Sequence, residues 1–260
     1  SITASDHPVS EFRERASVEL RDVGFRYPGA EHSVLSGVSF RCDAGRTLAV
    51  VGSTGAGKTT IANLLNRFYE FNEGSIKIDG TSIRDFQLES LRKNIGVVLQ
   101  DVFLFSGSII ENVTLRNPEI SREEVKDAAR LIGIDQFIES LPGGYDYQVM
   151  ERGATLSLGQ RQLLSFLRAL LYKPSILILD EATSSVDSHT EKLIQHAIDV
   201  LTKGRTSIII AHRLSTIQKA RQILVLEKGV VMEQGDHHSL LAKGGKYAQL
   251  IELQGTHSQN

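Results

Sequence analysis

Hydrophobic and polar positions alternate near the start of the chain, as is typical of half-buried β-strands. One alternating run covers residues 18–27 and stops at Pro28-Gly29. The alternation resumes over residues 34–42, so the sequence predicts two neighbouring antiparallel strands. Residues 47–51 are instead continuously apolar, which indicates a strand covered on both faces.

A glycine-rich turn follows this apolar strand, and helical spacing then predicts a helix over residues 58–68. Further strands are predicted at residues 75–79, 95–99, 175–179, 207–211, 223–226 and 230–233. Between Gln100 and Lys173 we find no strand pattern. Helices are predicted there at residues 122–131, 135–140 and 160–172, so this part forms a helical insertion. Outside it, alternating strands and helices indicate a mainly parallel sheet with helices on both faces.

Composition and charge narrow the possible partners. The 260 residues contain 29 Lys and Arg against 31 Asp and Glu, a balance that argues against a nucleic-acid partner. Cys42 is the only cysteine, which excludes disulfide frameworks and cysteine-rich metal sites. No apolar stretch approaches the length of a membrane helix. We expect residues 1–16 to be a linker from a missing membrane domain, residues 17–254 the folded domain with its helical subdomain at about 101–173, and residues 255–260 a tail.

Residues 52–59 spell Gly-Ser-Thr-Gly-Ala-Gly-Lys-Thr, which matches the phosphate-loop pattern G-x-x-x-x-G-K-[ST] between a buried strand and a helix. Glycines there let successive backbone N–H groups point at a phosphate chain, and the helix start adds positive dipole character. Lys58 would neutralise the outer phosphates, and the Thr59 hydroxyl can bind Mg²⁺. The sequence thus predicts an α/β phosphate-loop NTPase core with a mainly parallel sheet, an N-terminal antiparallel β subdomain and an inserted helical subdomain.

Two carboxylates follow another apolar strand. Asp180 and Glu181 come directly after residues 176–179, at the strand end where ligands of open parallel sheets bind. Asp180 would contribute to the coordination shell of Mg²⁺. Glu181 could accept a proton from the water that attacks the terminal phosphate. Beside a phosphate loop, this pair predicts hydrolysis of a nucleoside triphosphate.

Five further segments resemble motifs of the ATP-binding cassette (ABC) proteins, in the order that the family has them. Residues 156–160, Leu-Ser-Leu-Gly-Gln, resemble the signature Leu-Ser-Gly-Gly-Gln. Gln100 resembles the glutamine-loop residue, His212 the switch histidine, and Tyr27 the aromatic that stacks on adenine. Residues 184–187 resemble the loop that faces a partner subunit.

The resemblance implies ATP and Mg²⁺ as cofactors and a role for each matching residue. The catalytic residues would be Glu181, His212, Gln100 and Lys58. The Mg²⁺ ligands would be Thr59, Gln100 and Asp180. The residues expected to contact ATP are Tyr27, Gly52, Ser53, Thr54, Gly55, Ala56, Gly57, Lys58, Thr59, Thr60, Ser157, Gly159 and Gln160.

The resemblance also implies a head-to-tail dimer with a second nucleotide-binding domain. A phosphate loop grips the phosphates from one side only, and in the family the partner's signature closes the other. Leu158 stands where glycine is common, and leucine is less tolerant of positive φ. Two interpretations stay open: harmless variation in a homodimer, or an altered signature in a heterodimer that leaves one of its two sites weakly active.

Glu151, Arg152 and Gly153 resemble an exporter segment that touches the coupling helices of the membrane domain. Residues 101–109 and 111–112 resemble the exporter form of the region after the glutamine. We therefore expect an ATP-hydrolysing motor domain of an exporter, on the cytoplasmic face of the cell (inner) membrane within an integral membrane transporter. The alternative is an ATP-gated regulatory or non-transport ABC ATPase. Cassette ATPases of DNA repair are disfavoured because no heptad insertion follows Gln100, and ribosome-associated ones because a single domain is present.

Overall fold

A computed structural model describes residues 9–53, 55–99, 102–150, 155–181 and 187–257, with side chains as far as residue 253. Gln100, Thr54, Glu151, Arg152 and Gly153 lie outside the described residues, as do Asp101 and residues 184–186 of the predicted partner-facing loop. The chain divides into two compact units. The first contains Ser1–Val97, Ser175–Glu181 and Gly204–Asn260, and the second Val98–Pro174 and Ala182–Lys203. The domain bounds inferred from the sequence stay predictions.

The strands agree closely with the hydrophobic pattern, because alternating and continuous apolar runs each bury a defined face. They are β1 Val18–Phe25, β2 Leu35–Cys42, β3 Thr47–Val51, β4 Glu73–Ile78, β5 Thr81–Ser82, β6 Ile95–Val98, β7 Gly107–Ser108, β8 Gln148–Val149, β9 Ile176–Asp180, β10 Thr206–Ile210, β11 Gln222–Glu227 and β12 Val230–Gly235.

The helices follow the 3.6-residue pattern, and several begin at a Ser or Asp N-cap. They are α1 Lys58–Leu65, α2 Leu88–Asn94, α3 Ile109–Thr114, α4 Arg122–Leu131, α5 Asp135–Ser140, α6 Leu158–Tyr172, α7 Ser188–Thr202, α8 Leu214–Lys219, α9 His237–Lys243 and α10 Lys246–His257.

The first unit is built on two sheets. The antiparallel one has the order β2-β1-β4-β5, and the other has the order β12-β11-β3-β10-β9-β6. In the second sheet β11, β3, β10 and β9 pair in parallel, whereas β12 joins β11 antiparallel. Apolar side chains of both sheets and of α1 form one core. The predicted α/β fold with an antiparallel β subdomain is confirmed.

The second unit is mainly helical and contains α3 to α7. The prediction that no strand lies between Gln100 and Lys173 is wrong in one respect: β7 and β8 pair antiparallel over two residues each. A two-residue strand is too short to show alternation, so the pattern could not reveal it. Helix α3 was also absent from the prediction, although Ser108 and Glu111 form the capping box that starts it.

Candidate active site

Three motifs that lie far apart in the sequence meet at one edge of the large sheet. Val50 of β3 is level with Ile210 of β10, which is level with Asp180 of β9. The chain leaving each strand therefore starts from neighbouring points. The phosphate loop follows β3, His212 follows β10, and Glu181 follows β9, so the parallel register assembles the predicted site at the carboxyl ends of the strands.

Two glycines give the phosphate loop its shape. Gly52 has φ +158°, and a Cβ there would lie 2.1 Å from the Leu226 backbone oxygen. Gly57, just before α1, has φ +98°, and a Cβ there would lie 2.7 Å from Leu35 Cδ2. Both contacts are shorter than real Cβ atoms tolerate, and Gly57 also occupies the left-handed region that favours glycine. The loop conformation therefore depends on these two residues lacking a side chain.

Lys58 is buried and folds back over this loop. Its Nζ donates hydrogen bonds to the carbonyl oxygens of Gly52 at 2.6 Å and of Ser53 at 2.9 Å. Burial lowers the pKa of the Lys58 ammonium, an effect that the nearby Asp180 carboxylate opposes. Two neutral carbonyls do not compensate a desolvated cation in full, so the position favours an anion.

Asp180 and Glu181 are adjacent but differ sharply in their partners. Asp180 Oδ1 is buried and has no hydrogen-bond partner among the described residues; His212 Nε2 lies 3.6 Å from it. Glu181 is fully buried, and its Oε2 accepts the backbone N–H groups of His212 at 2.8 Å and Arg213 at 3.0 Å. The Thr216 hydroxyl donates to its Oε1.

The residues at this sheet edge fit a bound Mg²⁺. The unpartnered Oδ1 of Asp180 is a hard oxygen ligand, and the exposed Thr59 stands in the first turn of α1. Mg²⁺ in nucleotide sites usually takes one or two protein oxygens and completes its shell with phosphate and water. The described ranges contain no group of three His, Cys, Asp or Glu that could hold a metal ion.

Tyr27 lies just after β1 and lines an open cleft of about 540 Å³. Its hydroxyl lies 3.1 Å from Thr60 Oγ1 and accepts the Asn63 side-chain N–H at 3.2 Å. The rings of Phe25 and Tyr69 lie nearly perpendicular to the Tyr27 ring, with ring centroids 4.8 and 4.9 Å away. Tyr27 is thus anchored to the phosphate-loop helix at one end and half-exposed in the cleft.

The signature-like segment belongs to the second unit and begins α6. Ser157 is the exposed N-cap: its hydroxyl accepts the Gln160 N–H at 3.1 Å, and the Gln160 side chain accepts the Ser157 N–H at 2.9 Å. Leu158 is the first residue of the helix, and its φ is not positive, unlike the φ that glycine would permit. Gly159 is buried in the same turn. The substitution of leucine for glycine therefore does not strain this backbone.

The residues predicted from the sequence that lie in the first unit are Tyr27, Gly52, Ser53, Gly55, Ala56, Gly57, Lys58, Thr59, Thr60, Asp180, Glu181 and His212. Ser157, Gly159 and Gln160 are in the other unit. Sequence reasoning missed Thr216, Asn63 and Tyr69. Asn63 and Tyr69 follow the phosphate loop in sequence but carry no motif, and Thr216 stands only four residues after His212.

Several known proteins resemble this chain over more than nine tenths of its length. The family model described as ABC transporter matches residues 35–184. The chain is 54% identical over 254 residues to the ABC transporter ATP-binding protein YknV of Bacillus subtilis, covering 98% of this chain and 42% of that protein. It is 50% identical over 244 residues to a probable multidrug resistance ABC transporter ATP-binding/permease protein, YheH, of the same organism, covering 93% and 36%.

A solved structure of a bacterial Atm1-family ABC exporter with ATP bound superposes with a TM-score of 0.90 at 42% identity. The superposition covers 97% of this chain and 44% of that one. The chain therefore spans about two fifths of the length of the proteins it resembles.

Proposed function

The chain belongs to the ABC transporter family, and from this we propose that it binds ATP with Mg²⁺ and hydrolyses it as the motor domain of an exporter. The observation that carries the proposal is the meeting of Lys58, Asp180, Glu181 and His212 at one sheet edge, beside a glycine-shaped loop. The similar proteins include an ABC transporter ATP-binding protein and an ABC exporter with ATP bound, which supports the same activity.

The phosphate loop would receive the phosphate chain of ATP. Backbone N–H groups between Gly52 and Thr60 and the start of α1 offer donors and positive dipole character to an anion. Lys58 would exchange its two carbonyl contacts for phosphate oxygens, which compensate its charge better. Tyr27 offers an aromatic face for adenine, and its contacts with Thr60 and Asn63 would fix the ring relative to the loop.

Thr59 and Asp180 would hold Mg²⁺, with Gln100 as a further predicted ligand. When bound, the ion neutralises charge that builds up on the outer phosphates during transfer. The other catalytic roles would belong to side chains of this chain. Glu181 would accept the proton of the attacking water, and His212, 3.6 Å from Asp180, would contact the terminal phosphate and keep the water in line.

A second nucleotide-binding domain would complete the site by head-to-tail pairing. Accepting the Gln160 N–H occupies a lone pair of the Ser157 hydroxyl and leaves its proton available for a phosphate oxygen of the partner's ATP. The N-terminus of α6, where Gly159 lies, would add its dipole. The helical backbone at Leu158 supports harmless variation and hence a homodimer.

The intact protein would carry a membrane domain whose coupling helices contact the second unit near residues 151–153. The 36% to 44% coverage of relatives that include an ATP-binding/permease protein and an exporter supports this. None of the helices in the described ranges has the length and apolar character needed to span a bilayer. We propose that the chain works at the cytoplasmic face of the cell (inner) membrane.

Replacing Glu181 with glutamine tests this function. In E181Q a carbonyl oxygen remains to accept the two backbone N–H groups, and the Thr216 hydroxyl can reverse its role and accept from the new amide, so the fold should persist. We expect hydrolysis to fall about 10²- to 10⁴-fold and the variant to form a dimer with ATP and Mg²⁺, measured by light scattering. E123Q, at an exposed helix position, is the control. Wild-type turnover by E181Q would exclude Glu181 as the base. An E181Q variant that stays monomeric at saturating ATP would exclude the head-to-tail dimer.

A further inference from the structure

The carboxylate of Glu181 is withdrawn from solvent in this arrangement. The residue has no exposed surface, and three donors reach its two oxygens: two backbone N–H groups on Oε2 and the Thr216 hydroxyl on Oε1. A carboxylate has about four acceptor positions, so these donors occupy most of them. A water molecule outside the protein cannot reach either oxygen while this arrangement lasts.

These donors come from the segment that opens α8. Arg213, the N-cap residue of α8, makes no side-chain capping bond. The first N–H groups of a helix lack partners within the helix and must find acceptors elsewhere. Glu181, at the end of β9 and more than 30 positions away in sequence, accepts the N–H of Arg213 and that of His212 just before it. The carboxylate predicted as the general base thus also anchors the segment that leads into α8.

Thr216 adds the bond that engages the other oxygen. It is buried, and its hydroxyl donates to Oε1, so both carboxylate oxygens are held by one short segment. Breaking only the two N–H bonds would leave Oε1 tethered. The orientation of Glu181 therefore depends on Thr216, although Thr216 belongs to none of the sequence motifs.

We propose that Thr216 is a positioning residue that keeps Glu181 in a withdrawn orientation until ATP and a partner complete the site. We call the Glu181–Thr216 contact the glutamate latch. The inference rests on the proposed role of Glu181 as base. Opening the latch exposes the carboxylate to the attacking water, and the neighbouring Asp180, whose Oδ1 is already unpartnered, needs no such release.

Removing the Thr216 hydroxyl should favour the solvent-exposed orientation of Glu181. Valine has nearly the shape of threonine but cannot donate, so T216V leaves a buried carboxylate oxygen without its donor. Hydrogen bonds to charged groups shift an equilibrium by about ten- to a hundredfold, which favours the solvent-exposed orientation in T216V. T216S keeps the donor and should keep the latch.

The direct test is the accessibility of the Glu181 carboxyl to a water-soluble carbodiimide with glycine ethyl ester, quantified by peptide mass spectrometry in the absence of nucleotide. Glu181 should resist labelling in the wild type and in T216S and should react in T216V. Glu123, whose side chain is 72% exposed, is the internal standard and should react equally in all three. The matched control T202V removes a hydroxyl that donates only to the Ile198 carbonyl within α7 and should not change Glu181 labelling.

ATP hydrolysis provides the second measurement. We expect the kcat of T216V to rise several-fold with KM for ATP unchanged, because the role proposed for Thr216 acts on Glu181 and not on ATP. Equal Glu181 labelling in T216V and T216S would overturn the latch. So would a loss of kcat in T216V that serine restores, since the hydroxyl would then serve the working orientation. Absence of hydrolysis by the wild type would instead overturn the proposed function, and the labelling comparison would still decide the latch.

Discussion

The phosphate-loop region of the first unit and the signature segment of the second differ in where their polar groups find partners. Lys58 and Glu181 are buried: Lys58 donates to two loop carbonyls five and six positions before it, and Glu181 accepts N–H groups more than 30 positions away. At the start of α6, the side chains of Ser157 and Gln160 each accept the other residue's backbone N–H across one helical turn, and Ser157 is exposed. The first region has the character of an interior, and the second that of a surface.

This difference indicates which half of a catalytic site one chain can build alone. A desolvated ammonium beside carbonyls and an unpartnered carboxylate oxygen make a receptor for a phosphate and a cation. A capped helix N-terminus on the surface has no comparable internal support and gains from an anion supplied from outside. Substitutions that affect one contribution and not the other can test this difference.

The largest expected effect comes from the phosphate-loop region. Lys58→Ala removes the cation that faces the loop carbonyls, and we expect hydrolysis to fall about 10²- to 10³-fold, as for other electrostatic contacts to a transition state. Removing a desolvated charge should not lower thermal stability. Steady-state phosphate release and thermal unfolding measure the two quantities. The control Lys93→Ala changes an exposed lysine at the end of α2 and should leave both unchanged. Undiminished hydrolysis by Lys58→Ala would contradict the role assigned to the phosphate-loop region.

A smaller effect is expected at the signature segment. Ser157→Ala removes both the helix cap and the hydroxyl proposed to contact the partner's ATP, so hydrolysis should fall about tenfold while ATP binding to the monomer stays the same. The matched control is Ser121→Ala, which removes the equivalent capping box of α4 with Glu124. Both variants should lose about 1 kcal/mol of unfolding free energy.

Only Ser157→Ala should lose activity, which would separate the catalytic contribution from the capping contribution. Equal activity in the two variants would mean that Ser157 does no more than cap its helix, and the second half of the contrast would then fail.

The fold was largely predictable because apolar periodicity follows directly from burial. The continuous runs at β3, β9 and β10 and the alternation in β1 and β2 gave the strands, and the phosphate-loop spacing fixed the strand-loop-helix order. Helix α3 and the two-residue strands were missed, because such short elements contain fewer than two full repeats of their pattern.

The site was predictable as far as its motifs reach. The motifs name the groups that act on a ligand, but not the groups that hold those residues in place. Thr216 is an ordinary threonine four residues after His212, and its bond to Glu181 exists only because β9 and β10 are neighbours in register. Likewise, Tyr69 contacts Tyr27 because the fold brings the two rings together, and their separation along the sequence does not indicate the contact. Partners that the sheet brings together leave no local signal in the sequence.

The last test concerns stability rather than hydrolysis and asks how completely the first unit excludes water beside the large sheet. Cys42 ends β2 and is buried, and burial, with a smaller contribution from Asp43, raises the pKa of its thiol from 9.0 to about 12. The folded state therefore keeps a proton that the unfolded state loses above pH 9.0, so this group's contribution to stability is present below that pH and is lost as the pH rises.

Urea unfolding at successive pH values from neutrality into this range measures the effect. The free energy of unfolding of the wild type should fall by up to about 1.4 kcal/mol per pH unit more than that of Cys42→Ala, which cannot titrate at this position. Parallel pH profiles for the two proteins would mean that water reaches the thiol, and the interior character assigned to the first unit would not extend to this end of β2.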